Sequence, residues 1–332
     1  MSDEKRSRPV PRNIEPKPEL LTDRRLDLAA RAAWLYHAKG LRQDEIAAAL
    51  NLSRQVVQRL IALAASEHLI RFQLVHPLAE AIELSDRLTN HFELKYCEVV
   101  PSTAQRADNI ASIANAAAFY LESLLQQAEP ITIGIGGQRV IRDAVQRVSP
   151  MHRPMHRLVS LMGNMTRQGR ASHYDVIMSL AERVRAQCFP LPMPVVTNTV
   201  QEKTVLQAQT AFHACLALVE EASVLIMGIG FMNASAPLHR DGFITDAELA
   251  IALQAGAIGE LLGNCFDRNG NLLDDGHHDR LTSFPLPSPA QRRTVIVQCG
   301  EERVPALHAA FTGRLANGLI TDEETARRLL DF

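Results

Sequence analysis

Apolar side chains along this chain first recur at the spacing of amphipathic helices and then, beyond residue 95, gather into short runs separated by helical stretches. Between Gln43 and Ile61 the pattern predicts two short helices joined by a tight turn. Ile46, Ala47 and Leu50 mark the buried face of the first, and the small Ala47 suits the point where two helices cross. Asn51 stands at the turn, where a left-handed residue is needed, and Ser53 is placed to cap the second helix. In that helix Val57, Leu60, Ile61 and Ala64 fall at i, i+3, i+4 and i+7, which turns Arg54, Gln55, Gln58 and Arg59 to the opposite face. A helical run over 23–39 precedes the pair, with Leu26, Ala30, Ala33, Trp34 and His37 along one side and Gly40 as its stop. After the pair, Ile70, Phe72 and Leu74 alternate with Arg71 and Gln73, as in the strand of a wing. Leu78, Ile82, Ser85, Leu88 and Phe92 then trace another helical stripe, a linker or a dimer-forming helix.

From residue 95 the texture changes. Short apolar runs at 96–100, 131–136, 158–163, 224–230 and 294–300 predict strands, and four of the five end in Gly. Helical segments over 110–127, 172–187, 204–220 and 246–255 lie between them. Such alternation predicts an α/β domain with a mostly parallel sheet covered on both faces. Ligands of these sheets bind beyond the carboxyl ends of the strands, so the glycine-ended runs point to a pocket. The expected organisation is a disordered tail over 1–21, a reading unit over 22–76, a linker helix over 77–94 and a ligand-binding domain over 95–332.

Composition adds a polarity to this layout. The chain of 332 residues is 46% hydrophobic and 22% charged, with a formal net charge of -2. Residues 1–75 carry 13 Lys and Arg against 9 Asp and Glu, while the rest carries 22 against 28, so the basic end coincides with the helix pair. The five cysteines are scattered without a CxxC pair, which favours a reducing compartment and speaks against structural zinc. No apolar run has the length of a membrane span and the N-terminus has no apolar signal core, so a cytoplasmic location is expected.

The chemistry of the second short helix suits a DNA major groove. Arg forks onto guanine and Gln onto adenine, and either can hold a phosphate. Ser53, Arg54, Gln55, Gln58 and Arg59 form the candidate set contacting double-stranded DNA, the alternative being an ordinary helical hairpin with a solvated face. A second helix pair would be needed to read a palindrome, hence an expected dimer. In the later half, GIGGQR at 134–139 lacks the third Gly of a dinucleotide fingerprint, so no cofactor is called for. It still predicts a strand ending in small residues before a helix whose free amides can hold an anion, with Arg139 adding charge; the alternative is a turn needed only for packing. Asn164 and Gly228 sit at matching strand ends. Glu260 is a carboxylate inside an apolar stretch, which requires a partner such as a sugar hydroxyl or a cation. Arg303 could bind a phosphate at the start of the last long helix. His152 with His156, and His277 with His278, lack the setting of metal ligands, and no metal is expected.

The stretches AAWLYHAKGLRQDEIAAALNLSRQVVQRLIALAASEHLI, FPLPMPVV, VLIMGIG, GAIGELLGNCFDRNG and NGLITDEETARRLL occur in the order found in the SorC-type sugar-binding transcriptional regulators, which the chain resembles over about 24–330. The resemblance implies a winged helix-turn-helix domain followed by a Rossmann-like effector domain similar to sugar-phosphate isomerases and glucosamine-6-phosphate deaminases. It implies a homodimer or homotetramer on operator DNA, controlling a carbohydrate or polyol catabolism operon through a sugar, sugar phosphate or polyol. Carried over by position, Gly136, Gly137, Gln138, Arg139, Asn164, Gly228, Glu260 and Arg303 would line the effector site. Where the family commonly has GWGRT this chain has GGQRV, so Gln138 replaces a Gly and Val140 a Thr hydroxyl. Where it commonly has GG..K this chain has CGEER, and Glu260 stands where Asp is usual. Preserved cations favour an anionic ligand, and the lost hydroxyl leaves an unphosphorylated polyol or sugar acid open. Two rival readings are a sugar-phosphate isomerase or deaminase with Glu260 or Asp246 as base, and a DNA-binding structural protein with a degenerate pocket.

Overall fold

The computed structural model describes residues 18–67, 69–70, 78–172, 176–274 and 276–332, with side chains from residue 24 onward, residue 78 apart. The tail expected over 1–21 lies outside the described residues as far as 17, and the strand expected at 70–74 lies outside them beyond Ile70. The chain divides into two compact units at residues 75 and 76.

The first unit holds three helices, α1 (Pro18–His37), α2 (Gln43–Leu50) and α3 (Arg54–Ser66). Their core is made of Ala29, Ala32, Ala33, Ile46, Ala47, Val57, Leu60 and Ala64. Small side chains at the crossings let the helix axes approach closely. Asn51 adopts the left-handed conformation that ends α2, with φ 54° and ψ 47°, and the Ser53 hydroxyl accepts the Val56 N–H at 3.4 Å to cap α3. The face of α1 differs from the expected stripe. Its buried residues are Ala29, Ala32 and Ala33, whereas Trp34 is 53% exposed with the Lys39 ammonium 5.1 Å from its ring centroid. A tight alanine crossing leaves no room for an indole, so the helix is rotated to put Trp34 outside.

The second unit begins with α4 (Leu78–Phe92), β1 (Tyr96–Val100), α5 (Arg106–Leu125), β2 (Thr132–Ile135), α6 (Arg139–Arg147), β3 (Arg157–Ser160), α7 (Ile177–Val184) and β4 (Gln187–Phe189). It continues with α8 (Val200–Gln207), α9 (Thr210–Glu221), β5 (Val224–Met227), β6 (Gly230–Phe231), α10 (Pro237–Arg240), α11 (Asp246–Gln254), β7 (Gly259–Leu261) and β8 (Asn264–Phe266). It ends with β9 (Arg293–Val297), α12 (Val304–Thr312), β10 (Gly318–Asp322) and α13 (Glu323–Asp331). Seven strands form one parallel sheet in the order β1-β10-β9-β5-β2-β3-β4, and β6, β7 and β8 form a small antiparallel sheet. The fold is therefore α/β with a mostly parallel sheet.

Burial follows strand position. Every residue of β2, β5 and β10 is buried, as strands covered on both faces require, while the edge strands β1 and β4 are only partly covered. One apolar layer on a face of the sheet includes Ile113, Leu121, Ile133, Ile141 and Leu158; the other includes Leu88, Leu225, Met227, Ile296 and Phe311. The helix expected as a linker over 77–94 is part of this second layer. Ala81, Leu84 and Leu88 of α4 are buried in it, the Ser85 hydroxyl donates to the Cys97 carbonyl at 2.8 Å, and Ile82 of the expected stripe is 52% exposed. The strand-end runs were placed as expected for β1, β2, β3, β5 and β9, whereas β4, β10 and the β6-β7-β8 hairpin sheet have no counterpart in that pattern.

Candidate functional site

From β2 the chain runs through β3 to β4 on one side, and β5 lies on the other side of β2. The chain leaves β2 into α6 and leaves β5 into β6 of the small sheet, and the carboxyl ends of these two strands open a crevice at the switch point. A cavity of about 330 Å³ occupies that crevice. Gly137 and Gln138, between β2 and α6, and Arg139, which opens α6, form one side. Glu260 and Leu262 of the hairpin, and Cys299 with Arg303 after β9, form another. Leu238, Asp241 and Phe243, from α10 and the loop after it, form a third wall. This wall stands on its own small core of Val195, Met232, Phe243, Leu249 and Leu281, among others.

Glu260 is 5% exposed on the cleft wall. Its Oε2 accepts the Gly263 N–H at 2.8 Å, and its Oε1 accepts Nε2 of Gln138 at 3.3 Å. Burial pushes its carboxyl pKa up, and these two hydrogen bonds offset only part of that. The hairpin turn that supplies the Gly263 N–H is tight: Leu262 at φ 52° and Gly263 at φ 84° both have left-handed backbones, the geometry of a two-residue turn between twisted strands. Leu262 holds it without a glycine's freedom and presents its side chain to the cleft.

Cations on the cleft come with carboxylates. Asp241 pairs with Arg139 at 3.7 Å and with Arg240 at 3.6 Å; Glu302 pairs with Arg106 and with Arg303. Each carboxylate thus serves two guanidinium groups, leaving positive charge over for an anion. The Arg303 guanidinium lies 5.4 Å from the Phe231 ring centroid, and its buried Nε has no hydrogen-bond partner among the described residues.

The wall carrying Asp241 is anchored by an ion-pair network. One Arg167 nitrogen donates to both carboxylate oxygens of Glu248, at 2.7 and 2.9 Å, and Arg280 also donates to Glu248. Glu248 accepts the Thr245 N–H at 2.8 Å as well, closing a capping box at the start of α11. Burial alone would raise the Glu248 pKa, but hydrogen bonds from Arg167, Thr245 and Arg280 outweigh it and hold the pKa at about 2.

Of the residues expected at the effector site, Gly137, Gln138, Arg139, Glu260 and Arg303 line the main cavity. Gly136 and Asn164 line a recess of about 20 Å³ that shares Gly137, Met162 and Ser172 with it. Gly228 lines neither; a side chain there would overlap Gln138. Asp246, the other base of the enzyme reading, is away from the cleft, with its exposed carboxylate 2.6 Å from His239. His156 is buried and structural: its Nδ1 accepts the Ile131 N–H, so Nε2 carries the proton and donates to the Leu125 carbonyl. Among the described residues no group of His, Cys, Asp and Glu is arranged to hold a metal. Sequence reading missed Arg106, Asp241, Phe243 and Cys299 as cleft residues.

In the first unit Arg54, Gln55, Gln58 and Arg59 are all exposed along one side of α3, with Val57, Leu60 and Ala64 buried on the other. Arg54 lies 3.6 Å from Asp44 of α2, both well exposed. Among the described residues no helix is long and apolar enough to cross a membrane.

A switch-point cleft rich in arginine, walled by a helical cap and following a small helical unit, defines a ligand-binding α/β protein with an attached second module. Residues 76–331 match the family model described as "Putative sugar-binding domain". The chain is 31% identical over 303 residues to the erythritol catabolism regulatory protein EryD of Brucella abortus, covering 91% of this chain and 96% of the relative. It is 28% identical to the transcriptional regulator LsrR of an Enterobacter species, covering 92% and 93%. Among solved structures, the full-length sorbitol operon regulator SorC from Klebsiella pneumoniae superposes with a TM-score of 0.68 at 22% identity, over 92% of this chain and 98% of that one. The chain belongs to the SorC-type sugar-binding transcriptional regulators. It is a sugar-responsive regulator rather than an enzyme, in keeping with its named relatives.

Proposed function

We propose that the first unit is a helix-turn-helix reader of double-stranded operator DNA and that the cleft of the second unit is its effector site. Ser53, Arg54, Gln55, Gln58 and Arg59 of the reader meet the DNA, with α3 in the major groove. Gly136, Gly137, Gln138, Arg139, Asn164, Glu260 and Arg303 surround the effector, and Gly228 acts through Gln138. The effector is a sugar, sugar phosphate or polyol, and the operon is one of carbohydrate or polyol catabolism, repressed until the effector binds. The protein works in the cytoplasm as a homodimer or homotetramer, because one helix reads too few bases for specificity. The observation that carries this reading is the partnerless buried Nε of Arg303 at a switch-point cleft, since a buried donor without a partner favours a ligand acceptor. Two sites coupled through one chain must influence each other equally. The test is operator binding titrated with polyols and sugar phosphates. Release of operator by a compound that also raises the melting temperature supports the reading, and stabilisation without any change in operator affinity opposes it.

A further inference from the structure

A second cavity, of about 210 Å³, lies beyond the carboxyl ends of β1, β9 and β10, and Arg106 and Cys299 line it as well as the cleft. Two almost wholly buried side chains face it, Asn109 of α5 at 4% exposure and Asp322, the last residue of β10, at 3%. Strand register brings them together, since Val100, which ends β1 before the chain turns into α5, is paired with Asp322. Each has one half of its polar head tied down. The Thr103 N–H donates to Oδ1 of Asn109 at 2.7 Å, which fixes the amide's orientation and leaves Nδ2 with no acceptor among the described residues. Oδ1 of Asp322 caps α13 by accepting the Thr325 N–H at 2.9 Å, and Oδ2 has no donor among the described residues. We infer that this cavity is a second ligand site, one that takes a small amino alcohol: its ammonium group donates to Asp322 and its hydroxyl accepts from Asn109.

The charges around the cavity leave Asp322 as the carboxylate to be met. Glu301 and Glu324 each pair with Arg328, at 3.0 and 3.2 Å, and Glu302 pairs with Arg106 and Arg303. Asp322 pairs with no cation among the described residues. Burial and the Asp322 charge beside it push the Cys299 thiol up to about 12, so the thiol is neutral and brings no charge of its own. A buried carboxylate without a counter-charge is costly, and the cap accounts for only one of its oxygens; an uncharged Asn, Ser or Thr would cap α13 as well. Asn109, on another helix, takes no part in that cap. An ammonium group supplies both the charge and a charge-assisted hydrogen bond for Asp322, and a hydroxyl on the same small molecule gives Nδ2 of Asn109 its acceptor. A metal ion does not suit the place, because among the described residues no three His, Cys, Asp or Glu are arranged to hold one. The volume lies below the roughly 300–1,000 Å³ of sites for drug-sized molecules, which keeps the ligand small.

Ligand-detected NMR titrations of the full chain test this with ethanolamine, with ethylamine, which lacks the hydroxyl, and with ethylene glycol, which lacks the charge. The expected result is that ethanolamine binds at least about tenfold more tightly than ethylene glycol and at least about threefold more tightly than ethylamine. Asp322→Asn keeps the cap and the size but removes the charge, and brings ethanolamine to within about threefold of ethylene glycol, the melting temperature showing that the variant is folded. Asn109→Ala levels ethanolamine with ethylamine. Independently of any variant, ethanolamine slows hydrogen exchange at the start of α5 and of α13 and not across α10. Ethylene glycol binding the wild type as tightly as ethanolamine, or no binding of ethanolamine at all, would overturn the inference. So would an unchanged preference for ethanolamine in folded Asp322→Asn, or slowed exchange across α10 alone, which would place the compound in the cleft instead.

Discussion

Arg167 holds both carboxylate oxygens of Glu248 with a single nitrogen, across 81 residues of sequence. The carboxylate that caps α11 from within is thus also the anchor of the cleft wall. Because its pKa lies at about 2, below the ordinary value of 4.5, its contribution is full above the ordinary range and is lost as pH falls from about 4.5 towards 2. The shift corresponds to about 3 kcal/mol. Glu248→Gln is expected to lose about that much stability at pH 7 and to flatten the acid limb, as followed by urea unfolding at a series of pH values. An acid limb as steep as that of the wild type would remove Glu248 as its source.

Glu260 carries the opposite sign. Burial raises its pKa, so the native state gains protons relative to the unfolded chain and loses stability as pH rises through the raised value. Glu260→Gln keeps an acceptor for the Gly263 N–H, and Gln138 can turn its amide to present oxygen to the new nitrogen. The variant is expected to melt higher than the wild type at pH 8 and to lose that advantage at pH 5. Equal pH dependence of the two melting temperatures would show that Glu260 does not titrate in this range.

Ser53 tests the local architecture of the first unit. Its hydroxyl satisfies the Val56 N–H at the start of α3, so Ser53→Ala is expected to cost about 1 kcal/mol of stability in that unit, with Ser53→Asp close to neutral. Hydrogen exchange of the α3 amides reads this directly. Unchanged protection in the alanine variant would show that the cap is dispensable.

Arg59 tests the reader. It is exposed on α3 beside Gln58 and, unlike Arg54, has no carboxylate within ion-pair distance among the described residues. Arg59→Ala is expected to weaken operator binding by about 1–3 kcal/mol if it forks onto a base, with relaxed selectivity at one position. A contact to phosphate would instead lower the salt slope by about one and weaken all sequences alike. Unchanged affinity in the folded variant removes Arg59 from the DNA-facing set.

What could be read along the chain was what depends on neighbours in sequence. Asn51, Ser53 and the face of Arg54, Gln55, Gln58 and Arg59 are fixed within a few residues, and the apolar runs of β2 and β5 declare themselves because both sheet faces are covered. The burial of α1 was misjudged since alanine and tryptophan count alike as apolar, and only the helix crossing tells which one fits. β10 escaped because Leu319 and Ile320 are its only large apolar residues, between Gly318 and Thr321. In the cleft, Arg139, Glu260 and Arg303 stood out by chemistry, yet Asp241 and Glu248 did not. Apart from the adjacent Arg240 and the cap Thr245, the partners described above, Arg139, Arg167 and Arg280, lie more than thirty residues away, so no local pattern records them. Gly228 was read as facing a ligand, whereas the volume it vacates is filled by Gln138.

Among the described residues, the buried core of the first unit is five alanines with three larger apolar residues, Ile46, Val57 and Leu60, and the larger side chains around it, such as Leu35, Leu50 and Leu63, are only partly buried. A methyl group removes little area from water, so close crossing is achieved at the expense of hydrophobic free energy. Such a unit has a small reserve of its own, and any partner that grips its folded form adds to it in proportion to the logarithm of that partner's concentration. The thermal transition of residues 24–66 should therefore climb as operator DNA is added. Cooperative melting then becomes a gauge of occupancy: the reader is most completely formed when it is in use.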